Sequence, residues 1–387
     1  MSKVIVELSE LCDVITKGTT PSNIGAEFTE KGIKYIRSEM LTSAKYISDE
    51  GLLYISEETH KKLKRSQLKP GDILFSMAGV YLGKTAILRE CDTPANTNQA
   101  VALIRIIDEK CNREYVYYYL NLPEVVKSVN SITGQSAQPN INLKQIGNIQ
   151  IMLPERSVQD AVVTILSTYD SLIANNQKQI KLLEEAAQRL YKEWFVDLRF
   201  PGHETTPIVD GVPEGWAWGT LADIALFRRG KTITKDQVKA GIIPVVAGGL
   251  EPAYYHDTPN TNVPVVTVSG SGANAGFTRM YHTKVWASDC SYIDAAVTKN
   301  TAWVYCFLKG NKASIDVLQK GAAQPHVYAK DINAMKALFP DDKLMEQFRV
   351  IADPMFTRIG KLDMQIKRLA EARDRLLPKL MSGEIEV

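Results

Sequence analysis

Residues Gln179–Leu190 read QIKLLEEAAQRL, and residues Gln365–Leu376 read QIKRLAEARDRL. The offset between the two is 186 residues (365 minus 179), and it also carries Ala137-Gln138-Pro139 onto Ala323-Gln324-Pro325 and Pro154 onto Pro340. Lys144 meets Lys330, Ile146 meets Ile332, Ile165 meets Ile351, Ile173 meets Ile359 and Arg189 meets Arg375, with no gap between residues 137 and 195. Two unrelated helices of similar composition would share apolar spacing, but not also the Ala-Gln-Pro turn and the later proline. The chain is therefore a tandem duplication.

Both copies carry a heptad-like stripe. In the first it runs Ile173, Asn176, Ile180, Leu183, Ala187, Leu190, Trp194; in the second, Ile359, Leu362, Ile366, Leu369, Arg373, Leu376, Leu380. Steps alternating between three and four mark the seam of a helix that packs along another helix. The sequence offers no third long helix, so the two seams are expected to pack on each other. A helix from about Ser157 to Phe195 would run roughly 58 Å at 1.5 Å per residue, the length of a spacer. Asn176 and Arg373 interrupt the seams at different positions, which suggests that they set register or face a partner subunit.

The rest of the chain is strand-rich. Short apolar runs at Asp72–Phe75 and Ala100–Ile107 are bounded by Gly, Pro and Asn, while Glu114–Leu120 and Pro123–Val129 have helical spacing. After Phe200, a Pro- and acid-containing stretch through Pro213-Glu214-Gly215-Trp216 reads as a linker. Strand-like runs then resume at Gly241–Ala247, Val263–Val268, Val285–Ala287 and Trp303–Leu308. The two strand-rich regions match only weakly. Leu11-Cys-Asp13 with Gly18 resembles Leu221-Ala-Asp223 with Gly230, and Ser76-x-x-Gly79-x-x-x-Gly83-x-Thr85 matches Ser269-x-x-Gly272-x-x-x-Gly276-x-Thr278. Helices kept alike and domains allowed to diverge suggest one framework role and two separate recognition roles.

Composition narrows the function classes. With 387 residues, 45% hydrophobic and 23% charged, the chain is ordinary for a soluble protein of two or more domains. No apolar run reaches eighteen residues and the N-terminus does not read as a signal peptide, so a cytoplasmic location without membrane contact is expected. The five cysteines, Cys12, Cys91, Cys111, Cys290 and Cys306, form no C-x-x-C pair, which argues for free thiols rather than disulfides or zinc. His60, His203, His256, His282 and His326 show no ligand spacing, and no metal site is expected.

Catalytic patterns fail in turn. Gly79-Val-Tyr-Leu-Gly83-Lys84-Thr85 is one residue short of a phosphate-cradling loop, and the matching lysine position in the second copy is Phe277, so a Gly-rich hairpin is the better reading. Asp341-Asp342-Lys343 sits at a helix entrance, where capping explains the carboxylates. No N-P-P-Y stretch, the tetrapeptide with which amino-methyltransferases hold their target base, is present. No catalytic residues are identified.

Polar and aromatic loop residues point elsewhere. The net charge is only +2, but nucleic-acid binding needs a local basic face rather than a basic total. Arg228, Arg229 and Lys231, then Tyr254 and Tyr255, then Ser271, Asn274, Arg279 and Tyr281 interleave basic, amide and aromatic groups. In the first half the counterparts are Lys17, Thr19, Arg37, Ser38, Lys84, Asn98 and Gln99, and the repeated turn adds Gln138 and Gln324. Arg and Lys suit phosphates or the guanine edge, and Asn or Gln suits adenine.

Two divergent strand-rich domains, each followed by a near-identical long helix, resemble the specificity subunits of type I restriction-modification systems over essentially the whole chain. The telling marks are Pro213-Glu214-Gly215-Trp216 leading to Leu221-x-Asp223-Ile224 and Gly230, with Gly241–Gly249 and Ser269–Ser288. The helix ends Leu190-Tyr-x-x-Trp194-Phe195 and Leu376 to Gly383 look like that family's conserved regions. The first half lacks the Pro-Glu-Gly-Trp opening. The resemblance implies an α+β fold of two pseudo-symmetric α/β target recognition domains separated by two long antiparallel helices forming a coiled coil. Its expected divisions are recognition domain 1 at 1–155, a central conserved helical region at 156–200, linker and recognition domain 2 at 201–340, and a C-terminal conserved helical region at 341–387. It also implies a non-catalytic adaptor for double-stranded DNA, with each domain reading half of a bipartite site and the helices fixing the spacer. Two methyltransferase subunits carrying S-adenosylmethionine would dock on it for N6-adenine methylation, and two restriction subunits using ATP and Mg can join them. None of those cofactors would bind this chain. The alternative from the residues alone is a coiled-coil scaffold linking two β-rich ligand-binding domains without DNA recognition.

Overall fold

The apolar runs 73–76 and 101–106 show no polar alternation because both faces are covered: Ile73–Ser76 buries all four side chains and Val101–Ile106 all but Arg105. In the computed structural model, which describes residues 3–42, 44–49, 51–132, 139–319 and 325–387, these are the central strands of a sheet. The chain forms two compact units, Met1–Ile173 with Arg368–Val387, and Ala174–Lys367. The division runs through both long helices.

The first unit contains β1 (Val4–Glu7), β2 (Cys12–Lys17), β3 (Ile33–Ile36), β4 (Leu53–Ile55), β5 (Gln67–Leu68), β6 (Ile73–Ser76), β7 (Thr85–Ile87), β8 (Ala95–Thr97), β9 (Val101–Ile106) and β10 (Gln150–Leu153). Among the described residues one sheet has the order β2-β9-β6-β7 and another β4-β3-β8-β5, with β3 and β8 parallel, and β1 pairs antiparallel with β10. The helix Arg113–Leu120 buries Tyr115, Val116, Tyr117, Tyr118 and Leu120. They join Phe75 and Ile104 of the sheet, Val162 and Leu166 of the central helix (Arg156–Phe195), and Leu377, Leu380 and Met381 of the C-terminal helix (Asp342–Ser382) in one core.

The second unit contains β11 (Ile208–Val209), β12 (Val212–Pro213), β13 (Ala217–Thr220), β14 (Arg228–Arg229), β15 (Ile243–Val246), β16 (Tyr254–His256), β17 (Val265–Ser269), β18 (Thr278–Tyr281), β19 (Trp286–Ala287), β20 (Cys290–Asp294) and β21 (Lys336–Phe339). Its sheets repeat the first unit's plan: β14-β20-β17-β18, then β16-β15-β19 with β15 and β19 parallel, and the antiparallel pair β13-β21. The duplication thus reaches into the divergent domains. Gly79 and Gly83 have φ of +68° and +78°, and their matches Gly272 and Gly276 have +78° and +84°. The shared Ser-x-x-Gly-x-x-x-Gly-x-Thr pattern therefore encodes a hairpin connection that only glycine enters without strain, and Thr85 begins the returning strand.

The two long helices pack together antiparallel. The start of the central helix meets the end of the C-terminal one in the first unit, and the reverse holds in the second. Every seam position of both copies is buried or half-buried. In the second unit the contact extends beyond the seam through Phe348, Ala352 and Phe356. The Phe195 and Phe348 rings lie 5.1 Å apart, and Tyr191 meets Trp303 at 5.6 Å.

Two sequence readings are corrected. Trp303–Leu308, taken as strand-like, lies in the helix Thr301–Gly310, with residues 301 to 308 all buried. A short apolar run carries no period when every face is covered, so strand and helix look alike. Residues 201–216, read as a linker, are anchored: the Phe200 and Trp216 rings pack at a tilt 4.9 Å apart, and β11 and β12 form a hairpin between them.

At the C-terminal helix entrance, Asp341 Oδ1 accepts from the Leu344 amide at 2.8 Å, so that carboxylate caps. Asp341→Ala is expected to cost about 1 kcal/mol of stability in denaturant unfolding, the usual value of a lost N-cap.

Candidate nucleic-acid interface

Strand register decides which candidates can act together. In the first unit Lys17, ending β2, lies opposite Ala102, and Ser76, ending β6, lies opposite Val101. The end of β2, the 77–84 connection and the 98–100 turn therefore share one end of the sheet. The Thr97 hydroxyl donates to Ile36 O at 2.8 Å, which brings the 37–38 turn there too. Lys17, Gln99 and Lys84 are exposed, and Thr19, Arg37, Ser38 and Asn98 are half-buried.

The second unit repeats this. Arg229 lies opposite Ser291 and Ser269 opposite Cys290, so Arg228–Lys231, the 270–277 connection and the 288–289 turn gather at the matching end. Arg228, Arg229 and Lys231 are exposed. Ser271 forms a β-bridge to His326, as Ala78 does to Asn140 in the first unit.

One glycine in each unit lets the basic segment lie against the turn. A Cβ on Gly18 would stand 1.8 Å from Thr97 O, and one on Gly230 would stand 2.3 Å from Ser288 O. Gly18 N donates to Asn98 O at 3.0 Å, and Gly230 N to Cys290 O at 2.8 Å. Lys231 N then reaches Ala287 O at 2.9 Å, and Trp286 Nε1 donates to Lys231 O at 2.8 Å. The backbone is held while the exposed Lys231 ammonium lies 6.0 Å from the Trp286 ring.

Residues 2–185 match the family model of the type I restriction modification DNA specificity domain. The type I restriction enzyme MjaIX specificity subunit of Methanocaldococcus jannaschii is 26% identical, covering 96% of this chain and 91% of that protein. The chain is thus similar, over its whole length, to specificity subunits of type I restriction-modification systems. The HindI specificity subunit of Haemophilus influenzae is 20% identical over 83% of this chain and 88% of its own. In fold, the chain is similar to the type I restriction-modification S subunit of M. genitalium, with a TM-score of 0.56 at 16% identity, covering 98% and 96% of the two chains.

Several sequence candidates do not join that surface. Arg279 and Tyr281 lie on β18, the edge strand opposite β14 and roughly 14 Å away across three strand spacings. There the Arg279 guanidinium donates to Leu250 O at 3.0 Å and sits 5.0 Å over the Tyr281 ring. Tyr255, Arg279 and Tyr281 line a cleft with Glu184 and Asp363 of the long helices. Tyr254 is on β16, the edge of the other sheet. Alternation of residue types along the sequence cannot distinguish the two edges of one sheet.

Other candidates carry local structural bonds. Asn98 Oδ1 accepts from the Ala100 amide at 3.1 Å, Gln99 bonds Thr20, and Arg37 pairs with Glu39 at 2.7 Å. Arg65 reaches the Thr19 hydroxyl at 3.5 Å. Asn274 is half-buried in the hairpin connection. Gln138 and Gln324 lie outside the described residues.

Sequence reasoning missed Arg65, His326, Tyr328 and Lys330. The His326 ring stacks on Tyr328 at 5.9 Å, and both line a hollow with Arg229 and Asp289, while Lys330 Nζ stands 5.9 Å from the Tyr328 ring. For His326, Tyr328 and Lys330 the available signal was their position directly after the repeated Ala-Gln-Pro sequence; nothing in the sequence singled out Arg65.

Burial pushes the Cys12 and Cys290 thiols up to about 12 and Cys111 up to about 11, which keeps them protonated at neutral pH. Among the described residues no group of three or more His, Cys, Asp or Glu side chains is placed to hold a metal ion, and no helix is long and apolar enough to cross a membrane.

Proposed function

We propose that the subunit is the non-catalytic DNA reader of its complex, each unit contacting one half of a bipartite, asymmetric site. The observation that carries this reading is the repeated sheet end: two units of the same topology each gather exposed basic side chains on loops around a glycine-held turn. Loops on a rigid sheet can enter a groove, and cations there neutralise phosphates. The helix pair then sets the spacer, because two readers engage one duplex only when their half-sites present grooves at compatible positions. Linking two modest readers raises the effective concentration of the second.

In the assembled system the helix pair docks two methyltransferase subunits that methylate adenine at N6, reaching it by flipping the base. S-adenosylmethionine belongs to those subunits, and ATP with Mg to restriction subunits where present. The sheet ends of this chain supply placement alone.

The triple variant Arg228→Ala, Arg229→Ala, Lys231→Ala tests the reading. In complex with the methyltransferase partner it is expected to bind the cognate duplex more weakly, with a plot of log affinity against log salt flatter by about 2 to 3 units, one per lost phosphate contact. Unchanged affinity and slope would favour the scaffold alternative, two β-rich ligand-binding domains joined without DNA recognition.

A further inference from the structure

Of the two adjacent arginines on β14, only Arg229 is tied to a carboxylate. Its guanidinium lies 3.7 Å from Asp289 Oδ1, while Asp289 Oδ2 accepts a hydrogen bond from the Ser271 hydroxyl. Gly270 N donates to the Asp289 carbonyl at 3.2 Å, so the aspartate is fixed through both backbone and side chain. Arg228, opposite Tyr292 in register, is in no ion pair among the described residues. Successive residues of a strand point to opposite faces, which separates the two guanidinium groups.

A carboxylate at a surface meant for DNA is costly, since it repels phosphates and offsets the neighbouring positive charge. What it provides is orientation. A planar guanidinium drawn by charge toward a fixed carboxylate, without a hydrogen bond at 3.7 Å, keeps its N–H donors free in a rigid fork, and that fork matches guanine O6 and N7. The Arg229 side chain is 69% exposed and so can reach outward, whereas that of Asp289 is 35% exposed.

We infer that Arg229 reads a guanine in one half-site, with Asp289 as its positioning residue and Ser271 holding Asp289, while Arg228 and Lys231 serve the phosphates. The inference rests on the DNA-reading function proposed above and assigns roles within it.

The test uses the full chain in complex with its methyltransferase partner and a duplex carrying the methylated motif. Guanines are replaced one at a time by 7-deazaguanine, which lacks the N7 acceptor. For the natural chain, one position in one half-site should weaken binding about tenfold. That penalty should vanish in Arg229→Ala and persist in Arg228→Ala. In Asp289→Asn the penalty should shrink, while affinity for an unrelated duplex rises because a negative charge is gone. A merely structural role for Asp289 would weaken binding to both duplexes alike, and that result overturns the inference. It is equally overturned if no guanine is sensitive in the natural chain, or if Arg229→Ala keeps the full penalty. Should the triple variant also bind with unchanged affinity and salt slope, the DNA-reading function itself fails. Should the triple variant weaken binding while Arg229→Ala keeps the penalty, only the assignment of Arg229 and Asp289 fails.

Discussion

Replacing Asp170 with alanine is expected to destabilise the first unit by about 3–5 kcal/mol, the cost of stripping a buried charge network of one partner. Asp170 is 5% exposed and lies on the central helix. Its carboxylate accepts from the Arg373 guanidinium of the C-terminal helix at 2.6 Å and from the Tyr118 hydroxyl, and Lys45 Nζ stands 3.9 Å away. Lys45, itself 3% exposed, donates to Glu114 at 2.7 Å and to the Tyr118 hydroxyl at 3.0 Å. Burial works against the charge on Arg373, but the hydrogen bond and charge of Asp170, helped by Asp374, outweigh it and raise its pKa above the ordinary guanidinium value. Burial, then the Asp170 charge, raises the Tyr118 hydroxyl, so it remains a donor.

Without Asp170, half-buried Arg373 would keep only the exposed Asp374, and buried Lys45 only Glu114. Urea unfolding of Asp170→Ala, Arg373→Ala and the double variant measures the pair directly. The double variant should be less damaged than the sum of the singles, because removing both partners leaves no orphaned charge between the helices. A loss below about 1 kcal/mol in Asp170→Ala would contradict the network's importance.

This network also explains an interruption of the heptad stripe. Arg373 occupies a seam position because its partner is Asp170 across the helix pair, within the same unit. Under the 186-residue offset the equivalent positions are Phe356 and Ala187, both buried in the second unit's apolar core. A charge pair in one unit and an apolar pair in the other make the two ends of the helix pair chemically distinct, which favours one register. Asn176, the other interruption, is buried at 8% exposure.

Gly18→Ala is expected to remove the first unit's half of recognition. A Cβ 1.8 Å from the Thr97 carbonyl oxygen cannot be relieved by turning a side chain, since the obstacle is backbone. The segment must move, and with it go the Gly18 amide bond to Asn98 O and the Thr19 amide bond to Thr97 O at 3.1 Å. Lys17, Thr19, Asn98 and Gln99 would lose their common frame. If two linked readers act together, loss of one should weaken specific binding on the order of 10²- to 10⁴-fold while leaving non-specific binding nearly intact. Fluorescence anisotropy with cognate and scrambled duplexes, read beside thermal unfolding, separates lost recognition from lost folding. Cognate affinity unchanged in a folded Gly18→Ala complex would contradict the proposed placement of the site.

The helix pair and the duplication were legible because both rest on regular spacing, and a fixed offset survives divergence of individual residues. The strands were largely legible as short apolar runs between turn residues. The helix around Trp303 was not, because complete burial erases the period. The charge network was also hidden: Lys45, Asp170 and Arg373 come from distant parts of the chain, and only folding makes them neighbours. Among the candidates, Lys17, Arg228, Arg229 and Lys231 stand beside a glycine in the sequence, whereas Arg279 and Tyr281 match in composition and lie on the opposite edge of the sheet. Residue type announces chemistry, and strand order decides where that chemistry faces.

The most direct measurement is methylation-resolved sequencing of DNA from cells that carry the methyltransferase partner with either the natural chain or a chain whose residues 1–155 come from another specificity subunit. One bipartite adenine motif should appear with the natural chain, and the exchange should alter one half of it while leaving the other half and the spacer length as they were. A change in both halves, or a methylated motif indifferent to the exchange, would contradict the account.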